Sequence, residues 1–303
     1  MSWRKHGRVF DPPTQLSWVA SHASVPCALP LEDRVRVFFG ARDEANRSHV
    51  GFFDFDPTDP AASVALDDEP VLAPGGAGAF DESGTMPSWV LRVGDVVWLY
   101  TIGWTLGVTV PFYNSVGLAR SEDGGASFTK VSEGPLFSRD RVDPYFTASS
   151  CVLRTDEAWR MWYLSCTGWT SVPEGLRHRY HIRHARSDDG VAWRRDGTVC
   201  IDYGDPDEYA ISRPSVVRDR DRWRMWYSHR GPSYRIGYAE SPDGIAWTRH
   251  DDRVGIDVSE SGWDAEMIEY PCVFDHGGRR WMLYNGNGYG ASGIGLAELV
   301  ETD

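Results

Sequence analysis

The sequence predicts an all-β chain, a five-bladed β-propeller of four-stranded antiparallel blades, and three observations predict it. The first is one short aromatic strand written five times, at residues 35–39 (VRVFF), 96–100 (VVWLY), 159–163 (WRMWY), 223–227 (WRMWY) and 280–284 (RWMLY). Their last residues, Phe39, Tyr100, Tyr163, Tyr227 and Tyr284, stand 61, 63, 64 and 57 residues apart. A period of that size marks a repeat architecture. Each copy is too short for a helix and rich in side chains that suit a pleated, half-buried surface.

The second observation lies upstream of each copy. Thirteen residues before the last aromatic stands Pro26, Pro87, Ser150, Pro214 or Pro271, followed by Cys27, Ser88, Cys151, Ser215 or Cys272, small every time. The third lies downstream. A strand with Val or Ile comes next (50–52, 116–119, 182–185, 236–239, 294–297), carrying Gly in four copies, and in three copies an Asp-Gly turn closes it (121–128, 187–193, 241–247). Each unit reads as inner strand, turn, aromatic strand, loop, third strand, Asp-Gly turn and outer strand.

The chain ends complete the pattern. The fifth copy stops before its outer strand, while residues 2–10 (SWRKHGRVF) match 192–200 (AWRRDGTVC) with Trp3 on Trp193, Gly7 on Gly197 and Val9 on Val199. The N-terminus is therefore expected to pair as the outer strand of the fifth blade and close the ring. This makes residues 1–303 one domain, with blades at about 19–70, 80–135, 140–203, 206–255 and 263–300 plus 2–10.

Composition narrows the partners. A net charge of −13 disfavours nucleic acid and anionic membranes, which would repel the chain. The first ten residues hold no apolar stretch and no run approaches a membrane span, so a cytoplasmic protein is expected. Five cysteines without close pairs fit a reducing compartment, and three of them occupy the small position of the repeat.

Topology sorts the remaining polar residues. The Asp-Gly turns hydrogen-bond to themselves through Asp123, Asp189 and Asp243 and are scaffold. The long aromatic loops and the lead-ins to the inner strands share the opposite face, where binding residues are expected. The lead-ins carry His22, Asp81, Glu82, Asp143, Glu208, Arg213, Asp264, Glu266, Glu269 and Tyr270; the ends of the second strands add Arg42, His229, Arg230 and Asn285. Converging on an axis, these form a charged funnel suited to a polyhydroxylated ligand, with Trp104 placed to stack on a sugar face. The alternative is a ring of salt bridges that satisfies itself and only holds the blades together.

The W-x-M-W-Y strands, the segment at 236–247 (IGYAESPDGIAW) and the acidic lead-ins together resemble the five-bladed propeller glycosidases of families 43, 32 and 68, with the family 130 mannoside phosphorylases as more distant kin. The resemblance covers nearly the whole chain. It implies glycosidic-bond chemistry by paired carboxylates, one neutral acid and one base or nucleophile. One departure stands out: the first inner strand reads SHASVP at 21–26, where those hydrolases place an Asp. Glu269, among Met267, Ile268 and Tyr270, is the expected general acid, with Asp143 or Glu82 as base. His22, Arg42, Asp81, Trp104, Glu208, Arg213, His229, Arg230, Glu266, Tyr270 and Asn285 are the expected substrate-binding set. No cofactor is expected, although His22, His229 and the carboxylates leave a central divalent ion open. Phosphorolysis, with Arg213, His229 and Arg230 on phosphate, and a non-catalytic carbohydrate-binding propeller are the alternatives.

Overall fold

The computed structural model describes residues 1–60, 66 and 68–300. Residues 61–65 and 67, within the expected first blade, and 301–303 lie outside the described residues. The chain is all-β, its one described helix being a 3-10 turn at Asp251–Arg253.

The strands fall into antiparallel runs that follow the sequence period. β1 (Ser2–Phe10) opens the chain; β2 (Ser21–Pro30), β3 (Val35–Arg42) and β4 (Ser48–Phe55) form the next run. β5 (Gly84–Val93), β6 (Val96–Leu106), β7 (Phe112–Ser121) and the short β8 (Thr129–Lys130) form another. β9 (Thr147–Arg154), β10 (Trp159–Val172), β11 (Gly175–Ser187) and β12 (Arg194–Ile201) repeat it, as do β13 (Ala210–Arg218), β14 (Trp223–Arg230), β15 (Tyr234–Ser241) and β16 (Thr248–Arg249). The last run is β17 (Glu269–His276), β18 (Arg279–Asn285) and β19 (Ile294–Val300), and β1 pairs antiparallel with β19 as its outer strand. The ladder of β1 slips at Gly7, which has φ 88°; Gly197 in the outer strand β12 has φ 87°. Both glycines adopt a left-handed conformation that costs any other residue strain, which explains why the two segments match at this position.

The inner strands β2, β5, β9, β13 and β17 are held to one another by the small position of the repeat. Ser150 N–H donates to Ser88 Oγ at 2.6 Å, Val216 N–H to Cys151 Sγ at 3.3 Å, Val273 N–H to Ser215 Oγ at 2.8 Å and Ala28 N–H to Cys272 Sγ at 3.3 Å. Each small residue thus accepts from the backbone of the following inner strand. Cys27 instead accepts from the Arg213 guanidinium, at 3.1 Å. A side chain larger than Cys would push the strands apart, and one without an acceptor would strand a buried N–H.

The proline before that position has a matching role. The ladders slip between Ser24 and Cys27, Ser212 and Ser215, and Glu269 and Cys272, and the residues just before proline, Val25, Arg213 and Tyr270, take φ of 55°, 51° and 54°. Proline has no N–H to lose at such a bulge. The strained residues before it are secured by neighbouring strands. Asn285 Oδ1 accepts from Val25 N–H, Ser149 Oγ from Arg213 N–H and Ser228 Oγ from Tyr270 N–H.

The repeated aromatics fill the space between runs, with Phe39, Tyr100, Tyr163, Tyr227 and Tyr284 all fully buried. Gly51, Gly117 and Gly295 of the third strands lie under Trp18, Phe80 and Trp263, so closely that a Cβ would overlap each ring. Trp3 of β1 packs edge-on against Trp226 at 5.7 Å. The Asp-Gly turns are self-bonded as expected: Asp123, Asp189 and Asp243 each accept from two amides downstream and from the preceding Ser hydroxyl.

Two measurements test this frame. Ser215→Ala removes the acceptor of Val273 N–H and should cost about 1–3 kcal/mol by urea unfolding, whereas Ser215→Cys should retain most of the stability. Deleting residues 1–10 strips β1 from β19 and should lower Tm by roughly 10 °C or more, each kcal/mol being worth about 2–4 °C in a large domain. An unchanged Tm would show that β1 contributes nothing to the fold.

Candidate functional site

The lead-in acids do not ring an open funnel. Four of them are fastened, within their own run, to a cation on or beside the outer strand. Asp81 pairs with Lys130 of β8 at 2.5 Å, and Asp264 with Lys5 of β1 at 2.8 Å. Asp143 takes Arg195 of β12 at 2.5 Å and Arg183 of β11 at 3.2 Å, and also accepts from the hydroxyls of Tyr163 and Ser165. Glu208 is gripped by Arg249 of β16, at 2.7 Å, and by His229 at 2.9 Å. All four acids are buried. The repeated tyrosines serve the same clasps, Tyr163 and Tyr284 donating to Asp143 and Asp264 directly and Tyr227 to Asp251 beside Arg249.

This corrects several expectations. Asp143 is not a free base, because both of its carboxylate oxygens are taken up by arginines and hydroxyls. Asp81, Glu208 and His229 are members of these clasps. Arg213 does not face a substrate or Glu269. It is fully buried on the axis, where its guanidinium donates to the carbonyls of Ser88 and Pro26 and to Cys27. Asn285 is buried too, and spends its amide on Val25, Ala23 and Gly293. Glu82 tightens its own turn by accepting from Gly78 N–H at 2.7 Å. Trp104 donates to Ser48 at 3.3 Å, and Glu266 is exposed at the lead-in to β17.

Glu269 is the exception. It is the first residue of β17, fully buried, and neither carboxyl oxygen has a hydrogen-bond partner among the described residues. Burial pushes its pKa well above the usual carboxylate range, although Arg230 and the adjacent Tyr270 pull the other way. Tyr180 and Tyr234 stand close enough to Glu269 for its charge to oppose their ionisation, and they share a hydroxyl–hydroxyl bond of 2.5 Å. Arg230 donates to the Tyr289 hydroxyl at 2.7 Å and lies over the rings of Tyr209, Tyr234 and Tyr289 at 5.5, 5.2 and 5.6 Å.

Two histidines border this group. His178 stacks on Tyr180 at 4.6 Å, and burial together with Arg230 and Arg177 lowers its pKa to about 4. His22, with φ 66°, is lowered to about 4 by burial and by Arg42, which also acts on Tyr270. Both imidazoles are neutral at about pH 7. Arg230 and Tyr270 act on Glu269, and Arg42 acts on both Tyr270 and His22. Tyr180, Tyr234, Tyr289, Arg177 and His178 join them unforeseen. A signal existed for two of these: Tyr180 and Tyr234 each stand two residues before the repeated Ile of the third strand, on the same side of it. Among the described residues, no group of three or more His, Cys, Asp or Glu side chains is arranged to hold a metal ion. No helix among them is long and apolar enough to cross a membrane.

Comparison with known proteins gives this arrangement a context. No family model matches the chain. It is 44% identical over 300 residues, 99% of each protein, to the uncharacterized protein Rv1502 of Mycobacterium tuberculosis H37Rv and, over the same span, to the uncharacterized protein MT1551 of strain CDC 1551. The chain belongs to the family of these mycobacterial proteins. Among solved structures the family's fold is that of glycoside hydrolase propellers. BT0996, solved as an RGII complex, superimposes with TM-score 0.74 at 17% identity, covering 98% of this protein and 92% of that one. A thermostable family-43 glycoside hydrolase gives 0.71 at 14%, covering 97% and 94%. A protein of the GH130 family of mannoside phosphorylases, which contains hydrolases of β-1,2-mannosidic linkages, gives 0.70 at 15%, covering 98% and 90%. At such identities the likeness shows the fold.

The Glu208 clasp makes a pH prediction. Burial opposes the charged form, but Arg249, His229 and the Gly204 amide outweigh it and hold the pKa at about 2, against 4.5 unfolded. A depressed carboxylate stabilises the fold above about pH 4.5 and loses that contribution as pH falls towards 2. Glu208→Gln should therefore flatten the acid limb of stability by about 3 kcal/mol, read as the urea midpoint between about pH 5 and pH 2 in the same buffers for both proteins.

Proposed function

We propose that this family is a carbohydrate-active five-bladed β-propeller, a single cytoplasmic domain closed by β1 on β19, that cleaves a glycosidic bond with Glu269 as general acid. The observation that carries the reading is Glu269 itself. It is the one lead-in carboxyl among the described residues that is buried without an ion-pair partner, and burial raises its pKa well above the usual carboxylate range. Cleavage requires a neutral acid that delivers its proton to the leaving oxygen as the bond to the anomeric carbon breaks. Tyr270 and Tyr289 offer rings and hydroxyls for a sugar. The neutral His22 can donate or accept a hydrogen bond without adding charge.

The nucleophile is then water or phosphate. With Asp81, Asp143, Glu208 and Asp264 held in clasps, Glu82 and Glu266 are the remaining lead-in carboxylates for a hydrolytic base. Phosphorolysis needs one carboxyl only. It is favoured by Arg42, Arg177 and Arg230, which border the Glu269 group and have no carboxylate ion pair among the described residues.

Turnover of aryl glycosides and natural oligosaccharides, with and without inorganic phosphate, tests both readings. Glu269→Gln should lower turnover by about 10²–10⁴-fold with substrate binding retained. Release of sugar phosphate assigns the phosphate route, release of free sugar without phosphate assigns hydrolysis, and binding without turnover under every condition makes the family a carbohydrate-binding propeller.

A further inference from the structure

The inner strands continue past the ring of small residues to the face opposite Glu269. There the ends of β2, β5, β9 and β17 line a half-open cavity of about 390 Å³. That volume is in the range of sites for small organic molecules. Its walls are apolar, with Leu29, Val90, Val152 and Phe274 among them, and Cys27 and Cys272 lie at its inner end. No acidic residue lines it, in a chain of net charge −13. Its charged lining residues are Arg92 and Arg154, both exposed and neither ion-paired among the described residues.

A third cation lies behind the inner end. Arg213 Nη2 is 3.1 Å from Cys27 Sγ. Its guanidinium is fully buried, has carbonyl acceptors rather than a carboxylate, and leaves Nε without any partner among the described residues. A buried charge without a countercharge adds to the positive potential around the cavity, the sign that draws an anion to its mouth. An apolar cavity whose charged lining residues are two arginines without ion pairs favours a ligand of one kind, a hydrocarbon body with an anionic head at the mouth.

We propose that this end of the axis is a second binding site, separate from the Glu269 group, for a small anionic amphipath: a carboxylate carrying a medium-length hydrocarbon chain. The hydrocarbon lies against the walls, where each buried methylene contributes to affinity. The carboxylate sits at the mouth between Arg92 and Arg154, where charge-assisted hydrogen bonds form at little desolvation cost.

Isothermal titration calorimetry of the full protein with decanoate, below its micellar concentration, tests this. Decanoate should bind at one site per protein, butyrate and decyltrimethylammonium should bind far more weakly, and decanol should fall between. The double variant Arg92→Gln/Arg154→Gln changes exposed side chains and should melt like wild type while losing about 10- to 100-fold in decanoate affinity, the scale of a charge-assisted hydrogen bond. Leu153→Trp, which narrows the mouth, should weaken decanoate and decanol alike. Glu269→Gln should leave decanoate affinity unchanged, which separates this site from the catalytic proposal. The proposal is overturned if decanoate does not bind at millimolar concentration, or if the double variant binds it as tightly as wild type does.

Discussion

The structure depends on the contact each inner strand makes with the next at the axis. A small side chain with one acceptor atom, Ser or Cys, takes a backbone N–H from the following strand, at Ser88, Cys151, Ser215 and Cys272. Among the described residues the inner strands of different runs do not pair as a β-ladder, so these side-chain contacts take the place of ladder bonds between them. A buried N–H left without a partner costs about 1–3 kcal/mol, more than the roughly 1 kcal/mol that a made hydrogen bond contributes net. The same narrowness explains why the one large residue at the axis, Arg213, enters through a strained left-handed backbone and is met by carbonyls from two other runs. Cysteine suits this ring as a small buried acceptor rather than as a reactive thiol, and burial pushes Cys27 up to about 12.

Around that axis the charges divide by function. Most lead-in acids secure the rim of their own run, drawing the inner lead-in down onto the outer strand through a buried ion pair that the repeated tyrosine often completes. Removing either member of such a pair leaves the other charge uncompensated, so the two residues of a clasp constrain one another's evolution. Glu269 occupies a different position, on the inner strand itself rather than before it. It faces tyrosines and Arg230 instead of an outer-strand cation. That small displacement along the backbone separates a carboxylate held by a cation from one whose pKa burial raises. The tyrosine hydroxyls around it also have raised pKa values, so the group presents neutral donors and acceptors with arginines at its border.

Much of this was legible in the chain. The five aromatic strands, the small position after proline, the self-bonded Asp-Gly turns and the pairing of residues 2–10 as an outer strand are local or periodic signals. They superimpose because each run solves the same packing problem. The prominence of Glu269 was legible too, from its apolar neighbours Met267 and Ile268. The partners of the acids were not. Asp81 and Lys130 lie far apart in sequence, and Lys5 and Asp264 lie near opposite ends of the chain. The outer strands that supply these cations are the least patterned of the repeat, two of them only two residues long. Asp143 and Glu208 therefore looked as free as Glu269.

By itself the sequence determined the fold class, the repeat and the residues that line the axis, because periodic burial leaves a periodic imprint on composition. Only the tertiary structure decided which charges are spent holding the blades and which is left over. The energy of a buried carboxylate depends on the partner that arrives from a distant strand, and residue type carries no record of that partner.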